Sequence, residues 1–577
     1  MWIWNGSYWF WDIFGWGSGG SGGDTGTGNG FADQLPETLR FVEDQRGTLD
    51  LSDLDLGSLG DKNDVITLTF EVSSGALFAD RYGPIDITGS GTGTVTLTGK
   101  VKHLERYLDD AADALSYLCD QDAFGAGAGA LSIRVGQGST VELLGSVSIN
   151  LDDRRDDIVG TEGDDNLSGD GGMNGIYGLG GDDSLQGRDG NDLIEGGDGC
   201  DTVSGGAGAD TLDGGAGEDV LYYYGSQAGV RIDLGAGTAS GGDAEGDVIS
   251  GFEHIYATNA ADVLTGDASA NTLFGYGGAD VINGMGGDDV IRGGAGADTL
   301  DGGDGSDWLR YLGSREGVTI SLEPGTVGSG GDAEGDVVSN FENIQGSDHG
   351  DVLTGDAGAN DIIGNDGDDA IYGGAGKDTL RGGEGADTLD GGAGVDTLLY
   401  HDSDAGVSVN LRTGSGAGGE AEGDVISNIE NVYGSDHGDL LIGGAGRNYL
   451  YGYDGDDTIS GGEGKDVLRG MAGADSFLFD TAPAASNVDR ILDFTAGTDN
   501  ILLDGAIFDT LTAGALLESQ FLVAQDGVAQ TADQRMIYDS GDGTLYYDAD
   551  GSGALDAIAV AQLTNRADLS FDDILIV

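Results

Sequence analysis

The chain has 577 residues, which is long enough for several domains. Its 103 acidic and 24 basic residues give a formal net charge of -79, which excludes nucleic acids and anionic membrane surfaces as electrostatic partners. Multivalent cations are the counterparts that such a charge favours. No apolar run approaches the roughly 18 residues of a membrane helix, so we predict no transmembrane segment.

Residues 1–35 combine an aromatic segment with a flexible linker. Residues 1–16 hold five of the six tryptophans, and a Gly/Ser-rich stretch follows them. The aromatic segment is either a patch for a partner or a membrane interface, or a frayed tail. It lacks the basic n-region of a conventional signal peptide, so a secreted destination requires another export route.

Residues 36–152 are predicted to form a β-sandwich. Segments that begin at residues 64, 93, 130 and 145 alternate apolar and polar side chains and are bounded by Gly or Asp. Residues 102–118 have helical spacing and predict a short inserted helix. The arrangement resembles the cadherin-like or immunoglobulin-like modules of bacterial surface proteins.

Residues 153–480 are dominated by a nine-residue repeat, Gly-Gly-x-Gly-x-Asp-x-U-x, in which U is a large apolar residue. The repeats form four uninterrupted blocks, at residues 160–222, 257–310, 346–399 and 434–478, with seven, six, six and five units. A disordered acidic linker would show no fixed spacing between Asp and U, yet the spacing persists throughout the first block. The fixed register therefore indicates an ordered solenoid.

The residue types of the repeat indicate a metal turn followed by a short strand. Glycine permits positive φ and a close backbone approach, so six residues can make a tight loop whose carbonyls point at an ion. The x-U-x strand buries one side chain. Aspartate at position six supplies the hard oxygen that Ca²⁺ prefers, and backbone carbonyls can complete its shell. The predicted metal ligands in these turns are Asp165, Asp183, Asp192, Asp201, Asp210, Asp219, Asp280, Asp289, Asp298, Asp307, Asp351, Asp369, Asp378, Asp387, Asp396, Asp439, Asp457, Asp466 and Asp475.

These repeats resemble those of the RTX, or hemolysin-type, calcium-binding proteins. The resemblance implies an all-β chain with a parallel β-roll in four blocks, preceded by the β-sandwich and followed by a β-rich cap. It also implies that the protein binds multiple Ca²⁺ ions and is secreted by a type I system.

Two further patterns modify the roll. The spacers between blocks repeat one another, with "GGDAEGDVIS" at 241 returning at 330 and, as "GGEAEGDVIS", at 418. They resemble the spacers of large RTX proteins, which continue the roll with broader coils.

The second unit of every block carries Asn instead of Asp, at Asn174, Asn271, Asn360 and Asn448. Because an amide carries no charge, we predict weak or absent calcium binding at these four turns.

Residues 481–577 lose the nonapeptide and regain longer strands. They resemble the noncatalytic carboxy-terminal domain of serralysin-type proteases, which caps the roll and carries an uncleaved type I secretion signal. The acidic and apolar residues 572–577 match that signal. Asp548 and Asp550 begin a segment that is either a small calcium loop or an Asp-Gly hairpin turn, and its twelfth position is Ala559 rather than the Glu of an EF-hand.

The sequence contains no HExxH zinc motif among its five histidines, and nearly every aspartate has an assignment in a metal turn. We therefore predict a nonenzymatic protein, secreted or at the cell surface, that folds on export by binding calcium and acts in adhesion or surface-layer assembly. Its candidate partners besides the secretion machinery are a surface glycan, a surface layer or its own copies. The alternative is a secreted enzyme or toxin whose active region lies within residues 1–152.

Overall fold

The structure is a computed structural model that describes residues 156–577, except 526 and 554. Of the preceding residues it describes 38–42, 47–48, 51, 56, 62, 64–72, 76–79, 85–90, 93–110, 115–118, 125–137 and 140–152. The predicted aromatic segment and linker lie outside the described residues. Two compact units divide at residues 154 and 155. The finer domain boundaries given above stay predictions.

The described residues of the amino-terminal unit form two sheets and one helix. In its described part, strand Val65–Val72 lies between antiparallel partners Thr94–Lys100 and Gly125–Gln137 in a six-stranded sheet. Alternate side chains of this strand, including Leu68 and Phe70, are fully buried in a core shared with the second sheet and the helix. The described elements of this unit are strands Thr38–Val42, Gly47–Thr48, Val65–Val72, Ala76–Ala79, Asp86–Thr88, Thr94–Lys100, Leu115–Leu118, Gly125–Gln137 and Thr140–Asp152, and helix Val101–Asp110. The likeness to cadherin or immunoglobulin modules stays a prediction.

The predicted helix over residues 102–118 is wrong at its carboxy-terminal end. The helix spans Val101–Asp110, and Leu115–Leu118 is a strand that pairs antiparallel with Ala76–Ala79 and Gly47–Thr48. The four residues of this strand are too few for periodicity to distinguish it from one more helical turn. The distant strand partners decide the outcome.

The second unit is a parallel β-roll, as predicted. Successive nonapeptides place their strands on opposite faces, so each strand pairs with the strand 18 residues further on, as in Leu185 beside Val203 and Ile194 beside Leu212. In the described residues one face is a sheet of 20 strands, and the other face holds sheets of 11 and 13 strands. The U side chains point inward, and these four are at most 1% exposed.

The strands of the roll and its carboxy-terminal continuation are short and numerous. They are Asp156–Val159, Asn166–Ser168, Asn174–Gly180, Ser184–Asp189, Leu193–Asp198, Thr202–Ala207, Thr211–Ala216, Val220–Tyr222, Arg231–Asp233, Thr238–Ser240, Val248–Ser250, His254–Tyr256, Val263–Thr265, Thr272–Phe274, Val281–Asn283, Val290–Arg292, Thr299–Asp301, Trp308–Arg310, Thr319–Ser321, Val337–Ser339, Asn343–Gln345, Val352–Thr354, Asp361–Ile363, Ala370–Tyr372, Ala375–Gly376, Thr379–Arg381, Thr388–Asp390, Ala393–Gly394, Thr397–Leu399, Ser408–Asn410, Ser415–Ala417, Val425–Ser427, Asn431–Tyr433, Leu440–Ile442, Tyr449–Asp454, Thr458–Ser460, Val467–Ala472, Ser476–Phe479, Asp489–Ile491, Asn500–Leu503, Gly514–Ala515, Phe521–Ala524, Met536–Asp539, Thr544–Tyr547, Ile558–Leu563 and Ile574–Ile576. None of the described helices is long and apolar enough to span a membrane.

The spacers widen the roll on one face only. In the first spacer, Arg231–Asp233 and Thr238–Ser240 form an antiparallel hairpin that is inserted beside Val248–Ser250. On the opposite face Val220–Tyr222 pairs directly with His254–Tyr256, so the long sheet continues without interruption. A spacer therefore alters one face of the roll, while the apolar core continues through it.

The carboxy-terminal residues complete the stack. Ile574–Ile576 pairs in parallel with Asn500–Leu503, and the Ile574 side chain is fully buried. Strand Ile558–Leu563 pairs with Asp489–Ile491 at the end of the long sheet. Within the residues predicted to carry the secretion signal, Ile574–Ile576 is thus part of the folded sheet.

Candidate metal sites

Each position-six aspartate is fixed by the coil that precedes it. The Asp201 Oδ1 accepts a hydrogen bond from the Asp183 N–H at 2.8 Å, and the Asp219 Oδ1 accepts one from the Asp201 N–H at 2.7 Å. The same bond recurs between Asp280 and Asp298 at 2.8 Å. Because consecutive partners lie 18 residues apart, the carboxylates form a continuous ladder along each side of the roll.

The second carboxylate oxygen of most ladder residues lacks a protein partner. Among the described residues, a buried Oδ2 without a hydrogen bond occurs at Asp183, Asp201, Asp210, Asp219, Asp280, Asp289, Asp298, Asp307, Asp369, Asp378, Asp387, Asp396, Asp457, Asp466 and Asp475. A buried carboxylate oxygen is costly unless it is paired or coordinates a metal. All of these residues belong to the third or later units of their blocks, and all were predicted from the sequence.

Glycine at position one brings a carbonyl oxygen close to that Oδ2. A Cβ added to Gly284 would overlap both the Asp289 Oδ2 and the Gly302 carbonyl oxygen, and Gly275 is enclosed in the same way by Asp280 and Gly293. The space beside each glycine is therefore lined by oxygens from two coils. No three acidic, histidine or cysteine side chains converge as a metal site in the described residues. One carboxylate with backbone carbonyls is the hard-oxygen set that suits Ca²⁺.

Burial raises the pKa of several ladder carboxyls well above the usual value near 4. The pKa reaches about 8 at Asp280, Asp369 and Asp457, and about 7 at Asp210 and Asp387. Neighbouring carboxylates add to the effect of burial, as Asp298 does for Asp280, while the backbone hydrogen bond opposes it. Without a cation, these carboxyls therefore hold protons in the folded state that they would release in the unfolded chain.

The difference in pKa between the folded and unfolded states predicts that stability without calcium and affinity for calcium change in opposite directions with pH. A raised folded-state pKa contributes stability below the unfolded pKa near 4, and that contribution is lost as pH rises towards about 8. We expect calcium-stripped protein to retain some β-structure at pH 5.5, with a melting temperature that falls as pH rises until the structure is lost at neutral pH, whereas the calcium affinity rises because binding requires the deprotonated form. Circular dichroism melts in metal-free and calcium buffers measure both trends, with added NaCl as the control for surface repulsion. A melting temperature that rises with pH in metal-free buffer contradicts the assignment.

In the first unit of each block, a nearby Ser or Thr donates hydrogen bonds to the carboxylate oxygens of the position-six aspartate. The Asp351 Oδ2 accepts the Ser347 N–H at 2.6 Å, and its Oδ1 accepts the Ser347 hydroxyl at 2.9 Å. Ser435 bonds Asp439 in the same pattern, and Thr161 bonds the Asp165 Oδ2 through both its N–H and its hydroxyl. The role of these three predicted ligands in calcium binding stays a prediction. Asp262, bonded by Thr258, was missed because its unit is degenerate, although it has Asp at position six.

The asparagines of the second units use their amides within the protein. The Asn360 Nδ2 donates to the Glu342 carbonyl at 2.9 Å, and the Asn448 Nδ2 donates to the Glu430 carbonyl at 2.7 Å. Their Oδ1 atoms accept the N–H groups of Asp356 and Gly444. Weak calcium binding at these turns stays a prediction, and these contacts supply a physical reason for it.

Where the carboxylate ladder meets the spacers, three tyrosine hydroxyls donate hydrogen bonds to spacer aspartates. The Tyr223 hydroxyl donates to the Asp247 Oδ2 at 2.6 Å, and the Asp247 Oδ1 accepts the Asp210 N–H as a ladder residue does. Tyr311 with Asp336 and Tyr400 with Asp424 repeat the arrangement. Asp247, Asp336 and Asp424 were not predicted as ligands from the sequence. Their signal was the Asp-x-U-x register inside the repeated "EGDV" of each spacer.

We expect Tyr400→Phe to destabilise the calcium-bound protein by about 1–3 kcal/mol, because it leaves the buried Asp424 Oδ2 without its donor. The control is Tyr372→Phe in the block that precedes Tyr400, where the tyrosine side chain is exposed. Urea unfolding in calcium measures the two differences in free energy. Equal losses of unfolding free energy in the two variants would show that the hydrogen bond from the Tyr400 hydroxyl does not stabilise the protein.

The predicted loop at Asp548 and Asp550 is ordered by its own backbone. The Asp548 Oδ1 accepts the Asp550 N–H at 3.2 Å, and the Asp550 Oδ2 accepts the Leu555 N–H at 3.3 Å. Asp548 is 4% exposed. These bonds are compatible with both alternatives, so a calcium site here stays a prediction.

Comparison with known proteins addresses the repeats directly. The family model of the RTX calcium-binding nonapeptide repeat (4 copies) matches residues 152–185, 174–203, 201–224, 247–282, 256–291, 274–309, 345–380, 369–398, 433–468 and 461–478. This chain carries RTX calcium-binding repeats. The matched segments contain every described turn with an unpartnered Oδ2. The match to calcium-binding repeats therefore covers the turns that are lined by oxygens.

The remaining comparisons add little to the RTX assignment. No curated protein matches the chain. Among solved structures, the extracellular lipase LipA from Serratia marcescens is 16% identical, with a TM-score of 0.14. That match covers 42% of this chain and 41% of the lipase chain. Type I secretion and the serralysin-like nature of the carboxy-terminal domain stay predictions.

Proposed function

We propose that the chain is a secreted, nonenzymatic RTX protein that binds multiple Ca²⁺ ions, folds on export and acts outside the cell in adhesion or surface-layer assembly. The observation that carries this proposal is the ladder of buried aspartates whose Oδ2 atoms lack protein partners. Each such turn can hold a cation, because a carboxylate and carbonyl oxygens of two coils meet there.

Because of the negative charge of the chain, the calcium concentration of each compartment is expected to determine where the protein folds. In the cytosol, where calcium is scarce, repulsion within a chain of net charge -79 opposes folding. Outside the cell, calcium neutralises the ladder and stabilises the folded state by mass action. The chain is therefore expected to stay unfolded inside and to fold after export.

The position of residues 572–577 supports export before folding. Asp573 and Ile576 are buried, and the Asp573 Oδ1 accepts the Gly497 N–H at 2.8 Å. A secretion signal in this strand is accessible only before the sheet forms. Folding that is delayed until calcium is met keeps the signal available to a type I system.

Localisation tests the proposal against the enzyme alternative. Producing cells grown with calcium are expected to retain the protein on their surface, and a variant without residues 572–577 is expected to stay inside. Immunoblots of surface, fluid and cytosolic fractions measure this. Release of the chain into culture fluid together with a hydrolytic activity that depends on residues 1–152 would favour the secreted enzyme.

A further inference from the structure

Five aromatic rings form a cluster on the outer face of the long sheet. Tyr256 and Phe274 stack with centroids 4.9 Å apart, and the Tyr276 ring lies 6.3 Å from each of them at nearly right angles. Tyr224, which is 42% exposed, lies 4.7 Å from Tyr276. Tyr222 extends the cluster to the preceding coil. Rings that are polar at one end and apolar along their bodies are suited to a partly hydrated ligand.

Tyr276 occupies a strained position at the edge of this cluster. Its φ is +68°, at repeat position two, where glycine is the usual residue. Left-handed backbone is unfavourable for a tyrosine, and such residues concentrate at binding sites. The equivalent residues of the other three blocks, Leu179, Asn365 and Tyr453, share the left-handed backbone, and of these only Tyr453 is also aromatic.

Tyr276 also lines a cavity of about 600 Å³ beneath the second spacer. Its polar walls are Arg315, Glu316, Asp332 and Glu334. The volume lies within the range of roughly 300–1,000 Å³ for small-molecule sites. The cavity therefore combines one aromatic ring, one guanidinium and three carboxylates.

Of the cavity side chains, Glu334 also accepts the Gly330 N–H at 3.0 Å as part of the spacer fold, whereas the spacers differ at the Arg315–Glu316 pair. In all three spacers a serine hydroxyl donates to the carbonyl two residues on, from Ser226 to Ala228, from Ser314 to Glu316 and from Ser403 to Ala405. In place of the Arg315–Glu316 pair, the first spacer has Gln227–Ala228 and the third has Asp404–Ala405. The spacer backbone is thus repeated within the chain, and Asp332 and Glu334 recur as Asp243 and Glu245 in the first spacer, whereas the Arg315–Glu316 pair is particular to the second spacer.

We propose that this cavity is a saccharide site for neutral sugar units. Guanidinium donors and carboxylate acceptors match the hydroxyls of a sugar, and the Tyr276 ring offers an apolar contact for its carbon–hydrogen face. Three carboxylates against one guanidinium leave a net negative charge, which disfavours anionic uronates. The inference rests on the proposed extracellular function, to which it adds a ligand class.

Affinity electrophoresis of the full chain in calcium tests the site. The gels contain dextran, laminarin or galactomannan as neutral probes and alginate as the anionic probe. We expect at least one neutral polysaccharide to retard the chain, and we expect Tyr276→Gly to weaken that binding about tenfold. The double variant Arg315→Gln/Glu316→Ala, which installs the pair of the first spacer, should weaken it similarly.

Met285→Gly is the matched control. Met285 has φ +76° at the same repeat position in the next unit but does not line the cavity, so its replacement removes similar strain and should leave retardation unchanged. Retardation by alginate alone, equal effects of the two glycine variants, or no retardation by any neutral polymer overturns the proposal. A chain that gains β-structure with calcium but fails to bind leaves the proposed calcium function standing.

Discussion

Removal of calcium from the full chain is expected to abolish most of the β-structure of residues 156–577, and calcium is expected to restore it cooperatively. With dissociation constants of roughly 0.1–1 mM and tenfold excess calcium, each occupied turn contributes ~1.4 kcal/mol, so about a dozen turns give ~17 kcal/mol. That sum is as large as the whole stability of an ordinary domain. Magnesium should not substitute, because it requires smaller octahedral sites and retains its waters.

Far-UV circular dichroism and hydrodynamic radius during a calcium titration measure this transition. Asp289→Asn should raise the calcium concentration at the midpoint, because it removes the charge of a buried ladder residue while keeping an acceptor for the Asn271 N–H. Asp288→Asn, an equal loss of charge at an exposed neighbour, is the control. A compact β-fold already present in metal-free buffer at neutral pH would show that the apolar U side chains suffice.

Substitution of one position-one glycine is expected to disable its turn. A Cβ at Gly284 would overlap the Asp289 Oδ2 and the Gly302 carbonyl oxygen, and the Gly302 backbone is held because its N–H donates to the Ser339 carbonyl at 3.0 Å. We expect Gly284→Ala to cost about 1–3 kcal/mol in calcium. It should also raise the calcium midpoint, because the methyl group occupies the space between the two oxygens.

Gly446→Ala is the matched control for this prediction. A Cβ at Gly446 meets nothing within 4 Å, and its backbone is not left-handed, so the alanine should be neutral or slightly stabilising. Urea unfolding at fixed calcium and the calcium titration compare the two variants. Equal stability of both proteins would show that the oxygen-lined space at Gly284 is not required.

The roll was predictable because its information is local and repeated. Asp at position six and U at position eight keep one register, and inward-pointing U residues such as Leu300 and Leu389 are fully buried. Every aspartate with an unpartnered Oδ2 was named from this register. The carboxy-terminal end of the predicted helix failed because Leu115–Leu118 obtains its strand partners from distant residues.

The sequence by itself determined the coil, its apolar core and the candidate calcium turns, since each depends on residues within one nonapeptide. Only the tertiary structure decided which carboxylates remain available to a cation. Asp247 is closed by Tyr223, 24 residues away, whereas Asp289 has no such donor for its Oδ2. A hydrogen-bond donor competes with a cation only when folding brings it to within about 3 Å. That distance is set by the stacking of coils and not by the repeat.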